Sequence, residues 1–207
     1  MSELGSVAGD VATISGMRTP LAPRRWSIEE YHRMAAAGIL GEDDRVELLD
    51  GEIVEMSPIG SVHAAAVRSL ARHIQRAAGE HCLVSVQDPI RLPPASEPQP
   101  DLALLRLRDD LYRSELPAAG DVLVVIEVAD SSVAVDRRVK LPLYARAGIA
   151  EAWLVDLSGS TLEVWLDPTE QGYTTRRIFR SGETVVATAM PDLEVPVDVA
   201  LALPAAG

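Results

Sequence analysis

Asp101, Glu127 and Lys140 have the side chains that hydrolysis of a phosphodiester calls for. Asp101 follows Pro100 and opens the apolar run Leu102-Ala-Leu-Leu105; Glu127 ends a second run, Val122-Leu-Val-Val-Ile126, just before Val128. Lys140 lies on a helix-like segment that also carries Asp136. Both runs are short and apolar, the pattern of buried strands. An acid at the mouth of one buried strand and another at the end of the next are costly unless something pairs with them. Converging carboxylates are neutralised by a divalent cation, by a lysine, or by both. Carboxylates at neighbouring strand ends can hold one or two Mg²⁺, a hard ion that polarises a phosphodiester and lowers the pKa of bound water. A nearby lysine stabilises charge on the pentavalent phosphorus or orients the attacking water. Singly, each residue also has a plainer reading: Asp101 as a strand cap, Glu127 paired with an arginine, Lys140 on a helix surface.

The elements that must position these groups follow from the rest of the chain. Ser27-Ile-Glu-Glu30 is a capping box opening a helix with Tyr31, Met34 and Ala35 on one face and Gly38 as its stop. Trp26 stands where a hydrophobic staple would. Residues 45–56 form a hairpin about the turn Asp50-Gly51. A helix over 62–79 buries Val67, Leu70, Ile74 and Ala77, and carries Arg68, Arg72 and Arg76 on the opposite face. That arginine row is either a solvated face or a stripe that tracks phosphates. Residues 83–87 make a strand, and prolines 89, 93, 94 and 98 mark the loop that leads to Asp101. Strands over 101–106 and 122–128 precede a helix near 134–147, which Pro142 should kink or delay. Strands over 151–156, 161–165 and 173–179 follow, with Trp153 and Trp165 as core or interface residues, then short strand-like pieces over 184–203. The order predicts a mixed α/β or α+β domain with one central sheet over 25–203, behind a poorly ordered tail at 1–24.

Composition narrows the function. A net charge of −12 argues against a binder driven by clustered Lys and Arg, though not against a local basic groove. The single cysteine, Cys82, cannot form an internal disulfide, so a reducing compartment fits, with the cytoplasm as default. No run approaches the roughly 20 apolar residues of a membrane helix.

Pro100-Asp101 followed by Glu127 resembles the PD-(D/E)XK nuclease superfamily. More closely, the chain resembles the Uma-type putative restriction endonuclease family over about residues 26–200. The stretches that carry the match are 46–54, Met56-Ser57-Pro58, His63, Pro100-Asp101-Leu-Ala, Val125-Ile-Glu-Val128, Ser131-Ser132, Asp136, Lys140, Tyr144-Ala-Arg-Ala-Gly-Ile and Glu151-Ala-Trp-Leu-Val-Asp156. The resemblance implies a restriction-endonuclease-like core: a central mixed sheet flanked by helices, with an N-terminal helix and hairpin. It implies Asp101 and Glu127 as ligands of Mg²⁺ or Mn²⁺, with the Val128 carbonyl as a third. The lysine of the family signature would stand at position 129, which is Ala129. Lys140, on the next helix, is expected to return its amine to that point, oriented by an i, i+4 pair with Asp136. Glu47 is a further metal-oxygen candidate, and His63 a phosphate contact or an acid near the leaving oxygen.

The function expected is metal-dependent hydrolysis of DNA by an endonuclease, with a homodimer to cut both strands. The alternative is a nuclease fold that no longer cuts and serves as a binding or assembly module. Ala129 and the acidic balance favour the alternative; retention of Asp101, Glu127 and Lys140 favours the enzyme.

Overall fold

A computed structural model of the chain describes residues 23–41 and 43–203. Most of the expected tail lies outside these residues. Its main sheet has six strands: β3 (Leu83–Val86), β4 (Leu102–Leu105), β5 (Val122–Ala129), β6 (Glu151–Asp156), β7 (Thr161–Thr169) and β8 (Gly172–Arg180), hydrogen-bonded in that order. Every neighbouring pair is antiparallel except β5 and β6. A parallel pair needs a crossover. Here it is α3 (Val133–Val135), a π-helical turn (Asp136–Lys140) and α4 (Leu141–Arg146).

Alternation along the strands splits the core into two layers. Leu102, Leu104, Val124, Ile126, Val128, Trp153 and Val155 face one side. There they pack on α2 (Ser61–Ala78), on the hairpin of β9 (Thr184–Ala187) and β10 (Met190–Pro196), and on α5 (Val197–Ala200). Ala103, Leu105, Val125, Ala129, Ala152 and Leu154 face the other side, against Leu141, Leu143 and Tyr144 of α4. The second layer takes in Leu49 and Val54 from a hairpin of β1 (Val46–Leu49) and β2 (Glu52–Glu55), and α1 (Ile28–Ala36) meets that hairpin where the Tyr31 hydroxyl donates to the Val46 carbonyl.

Local chemistry accounts for the boundaries. Ser27 and Glu30 form the reciprocal capping box of α1. Asp50 and Gly51 turn the β1–β2 hairpin at φ of 51° and 79°, the positive values a tight hairpin turn requires. A Cβ on Gly51 would meet the Arg25 Cβ at 2.7 Å, so the turn also needs glycine for space. The expected irregularity at Pro142 takes the form of the π turn. Pro142 occupies the first turn of α4, and the Leu141 amide reaches back to the Asp136 carbonyl. Three expectations need correction. On α2 it is Ala78 that is buried beside Ile74, and Ala77 is exposed. Residues 184–203 contain the short helix α5 as well as strands. On α1 only Ile28 is buried, while Ala35 is exposed.

Candidate active site

Strand β4 starts at Leu102, opposite Ile126, so β5 runs on past the end of its neighbour. At that step the Val128 amide has no partner on β4 and donates to the Asp101 carboxylate instead, 2.9 Å to Oδ2. The N–H and C=O of one strand residue point to the same edge, so the Val128 carbonyl faces the same gap. His63, in the first turn of α2, meets Asp101 Oδ2 through Nε2 at 3.0 Å. From the end of β3, Gln87 donates its side-chain amide to Asp101 Oδ1 at 3.2 Å. Gln87 holds a left-handed φ of 56°, an unfavourable backbone state of the kind that collects at functional sites.

Glu127 lies on the face of β5 that packs against α4. The π turn crosses above it and lowers the Lys140 amine to 3.4 Å from Glu127 Oε1. The same amine lies 3.1 Å from Glu47 Oε2. Glu47 is aimed there because Leu49, two residues on along β1, is buried in the second core layer. The Gln99 amide donates to Glu47 Oε2 at 3.1 Å. Tyr144, fully buried on α4, donates its hydroxyl to Glu127 Oε1 at 2.5 Å. Asp136 accepts from the Ser132 hydroxyl at 2.6 Å.

All of these polar residues except Tyr144, which lies behind Glu127 in the core, line one cleft of about 390 Å³, with Arg45, Asp130 and Ser131 among its other walls. A second cavity, of about 440 Å³, lies at the other end of α2 between His81, Arg106 and Leu193, and holds no carboxylate cluster.

The electrostatics follow from crowding four carboxylates against one ammonium. Burial pushes the Glu127 carboxyl up to about 8; Lys140 opposes this, Asp136 and Asp101 add to it, and the Tyr144 hydrogen bond opposes it. Burial alone would lower the Lys140 ammonium, but Glu127, Glu47 and Asp136 outweigh it and the net shift is upward. Burial likewise raises Asp136. The hydrogen bond to Asp101 raises His63, against its burial, with the Asp101 and Asp136 charges and the Val128 carbonyl adding to the rise. Among the described residues no three His, Cys, Asp or Glu side chains form a ready-made metal cage. The donors here are of another kind: two carboxylates and a backbone carbonyl, the hard oxygens that suit a small divalent cation keeping several waters. On that chemistry the residues fit such an ion.

Asp101, Glu127, Val128, Lys140, Glu47, His63 and Asp136 thus all line the cleft. Two expectations fail. Arg68, Arg72 and Arg76 lie on the exposed face of α2 and are not among the cleft's walls. Asp136 makes no ion pair with Lys140 within 4 Å, because the π turn gives the lysine to Glu47 and Glu127. At position 129 the structure has a fully buried alanine packed with Leu141, Leu143 and Tyr144 of α4.

Sequence reasoning missed Tyr144 and Gln87 as site residues. A tyrosine on the apolar face of a helix is a signal, since its hydroxyl needs a buried partner. It also missed that Lys140 is the only lysine of the chain, among 19 lysines and arginines.

The solved structure of a putative nuclease belonging to DUF820 from Anabaena variabilis ATCC 29413 has the same fold. It superposes with a TM-score of 0.65 at 14% identity, over 85% of this chain and 97% of that one. No curated protein matches the sequence. The family model described as "Putative restriction endonuclease" (Uma2) matches residues 28–200. With the match running from the first turn of α1 to the end of α5, the chain belongs to the Uma2 putative restriction endonuclease family.

Proposed function

We propose that the protein is a divalent-metal-dependent endonuclease that hydrolyses phosphodiester bonds in DNA. The observation that carries this reading is convergence. The Lys140 amine lies within 3.4 Å of both Glu47 and Glu127, in the cleft where Asp101 holds the end of β5 that β4 leaves unpaired. Asp101, Glu127 and the Val128 carbonyl would hold Mg²⁺ or Mn²⁺. Such an ion supplies charge neutralisation at the phosphate and acidifies bound water. Lys140 presents a fixed positive charge to the phosphoryl oxygens or to the attacking water. Tyr144 and Lys140 both engage Glu127 Oε1, so Oε2 is the oxygen that would be offered to the ion. Gln87 and His63 restrain the Asp101 carboxylate.

Nicking of supercoiled plasmid in Mg²⁺ or Mn²⁺ tests the reading. Wild-type protein should nick, and Asp101→Ala and Lys140→Ala should not. Nicking that persists in Asp101→Ala would remove this cleft as the active site. The inert binding module becomes the better account if no metal supports cutting and calorimetry detects no metal binding. Cutting both strands of a duplex calls for two such sites, so a homodimer on DNA is part of the proposal.

A further inference from the structure

One buried charge cluster is not used by the chemistry above. Glu163 on β7 is 1% exposed and is held by donors from three elements. Arg137 donates from the π turn, 2.5 Å from Nη2 to Oε1 and 3.4 Å from Nε to Oε2. Arg176 donates from β8 at 2.6 and 3.0 Å, and the Trp165 indole at 3.0 Å. Arg137 also lies 3.6 Å from Asp156.

The position of this cluster gives it a role. Glu127 pairs with Leu154, and Leu154 pairs with Glu163. The two glutamates therefore stand in one row across the sheet, on the same face, two strands or about 9–10 Å apart. The π turn lies over that row with Arg137 on Glu163 and Lys140 on Glu127. A π turn is a weak, irregular helical segment. Glu163 is not among the walls of the cleft.

We propose that the Arg137–Glu163 pair is a tether that sets the position of the Lys140 amine in the cleft. Arg176 neutralises Glu163 but does not reach the π turn. Arg137 and Glu163 are positioning residues, acting through Lys140. The effect on turnover rests on the hydrolase reading above; the effect on Lys140 itself does not.

Because Lys140 is the only lysine, its amine can be followed directly. The test is its acetylation by N-hydroxysuccinimidyl acetate, read by peptide mass spectrometry on the metal-free full-length protein. Arg137→Ala and Arg176→Ala are compared. Each removes one arginine from Glu163 and leaves it the other arginine and Trp165, so both should fold, and melting temperatures check this. A purely structural cluster would respond alike to the two losses. The tether predicts that Arg137→Ala raises the Lys140 acetylation rate about tenfold or more and cuts kcat by a similar factor at unchanged KM. Arg176→Ala should leave Lys140 protected, and Arg137→Lys should restore part of the protection. If Arg137→Ala does not fold, Glu163→Gln replaces it and should raise acetylation less but in the same direction. Equal acetylation in wild type and Arg137→Ala, or equal release in both alanine variants, overturns the proposal. Release of Lys140 in Arg137→Ala alone, in a protein that cuts no DNA, upholds the tether and removes the hydrolase reading instead.

Discussion

Glu127 and Lys140 answer burial in different ways. Burial lifts the glutamate to about 8, so in the metal-free protein it holds a proton at neutral pH, while the lysine stays charged between Glu47 and Glu127. A cation needs the carboxylate form, so binding must expel that proton. Apparent metal affinity should therefore rise with pH up to about 8 and level off above it, with proton release. Calorimetry in buffers of different ionisation enthalpy reads both. The same shift bears on stability. A carboxyl raised from 4.5 to about 8 on folding contributes fully below pH 4.5, and that contribution is lost as pH rises through 8. Glu127→Gln should flatten this slope and make the metal-free protein more stable than wild type at pH 8.5, by about 1 kcal/mol or more in urea melts. Lys140→Arg should fail to cut: a planar guanidinium cannot replace a compact ammonium seated 3.1 and 3.4 Å from two carboxylates. Asp101 and Glu127 were legible from sequence because acids beside apolar strands are costly. Tyr144 was not, because its spacing on the helix suits an ordinary core residue until Glu127 is seen beneath its hydroxyl.

At the scale of elements, the site depends on a hairpin and a π turn more than on the sheet. The β1–β2 hairpin brings Glu47 to the lysine, and its turn allows no side chain at Gly51. Gly51→Ala should destabilise the protein by about 1–3 kcal/mol, since a non-glycine residue at φ 79° is strained and its Cβ strikes Arg25. Thermal melts measure it, and cleavage should fall alongside. The hairpin, the capping box and the strand beginnings follow from local rules, so the sequence showed them. The π turn was visible only as a conflict between a helical pattern and Pro142. That conflict is resolved just before Pro142, where the Leu141 amide reaches back five residues to the Asp136 carbonyl. The arginine row on α2 is helical as expected, but a helix pattern does not say which end of the helix meets the cleft. His63 in the first turn does meet it, and the arginines behind it do not.

For the whole molecule, charge is the main constraint. A chain of net charge −12 repels a polyanion, and the cleft walls add Glu55 and Asp130 to the acids at its centre. Binding to a DNA duplex in EDTA should accordingly be weak even at low salt. Ca²⁺, a hard cation that takes oxygen ligands, should strengthen it about tenfold or more by bridging carboxylates and phosphate. Fluorescence anisotropy with and without Ca²⁺ measures this; tight binding in EDTA would place the DNA on a surface other than this cleft. Among the described residues no helix is long and apolar enough to cross a membrane. Taken alone, the sequence determined the hairpin, the first two helices, the strands up to residue 180 and the acids and lysine available for chemistry, because periodicity and turn residues act over short stretches. Only the tertiary structure decided which of these groups share a cleft. The lysine's place was set by packing, since α4 covers Ala129 and the π turn passes over Glu127. Contacts between residues so distant along the chain depend on how the layers stack, which no local pattern records.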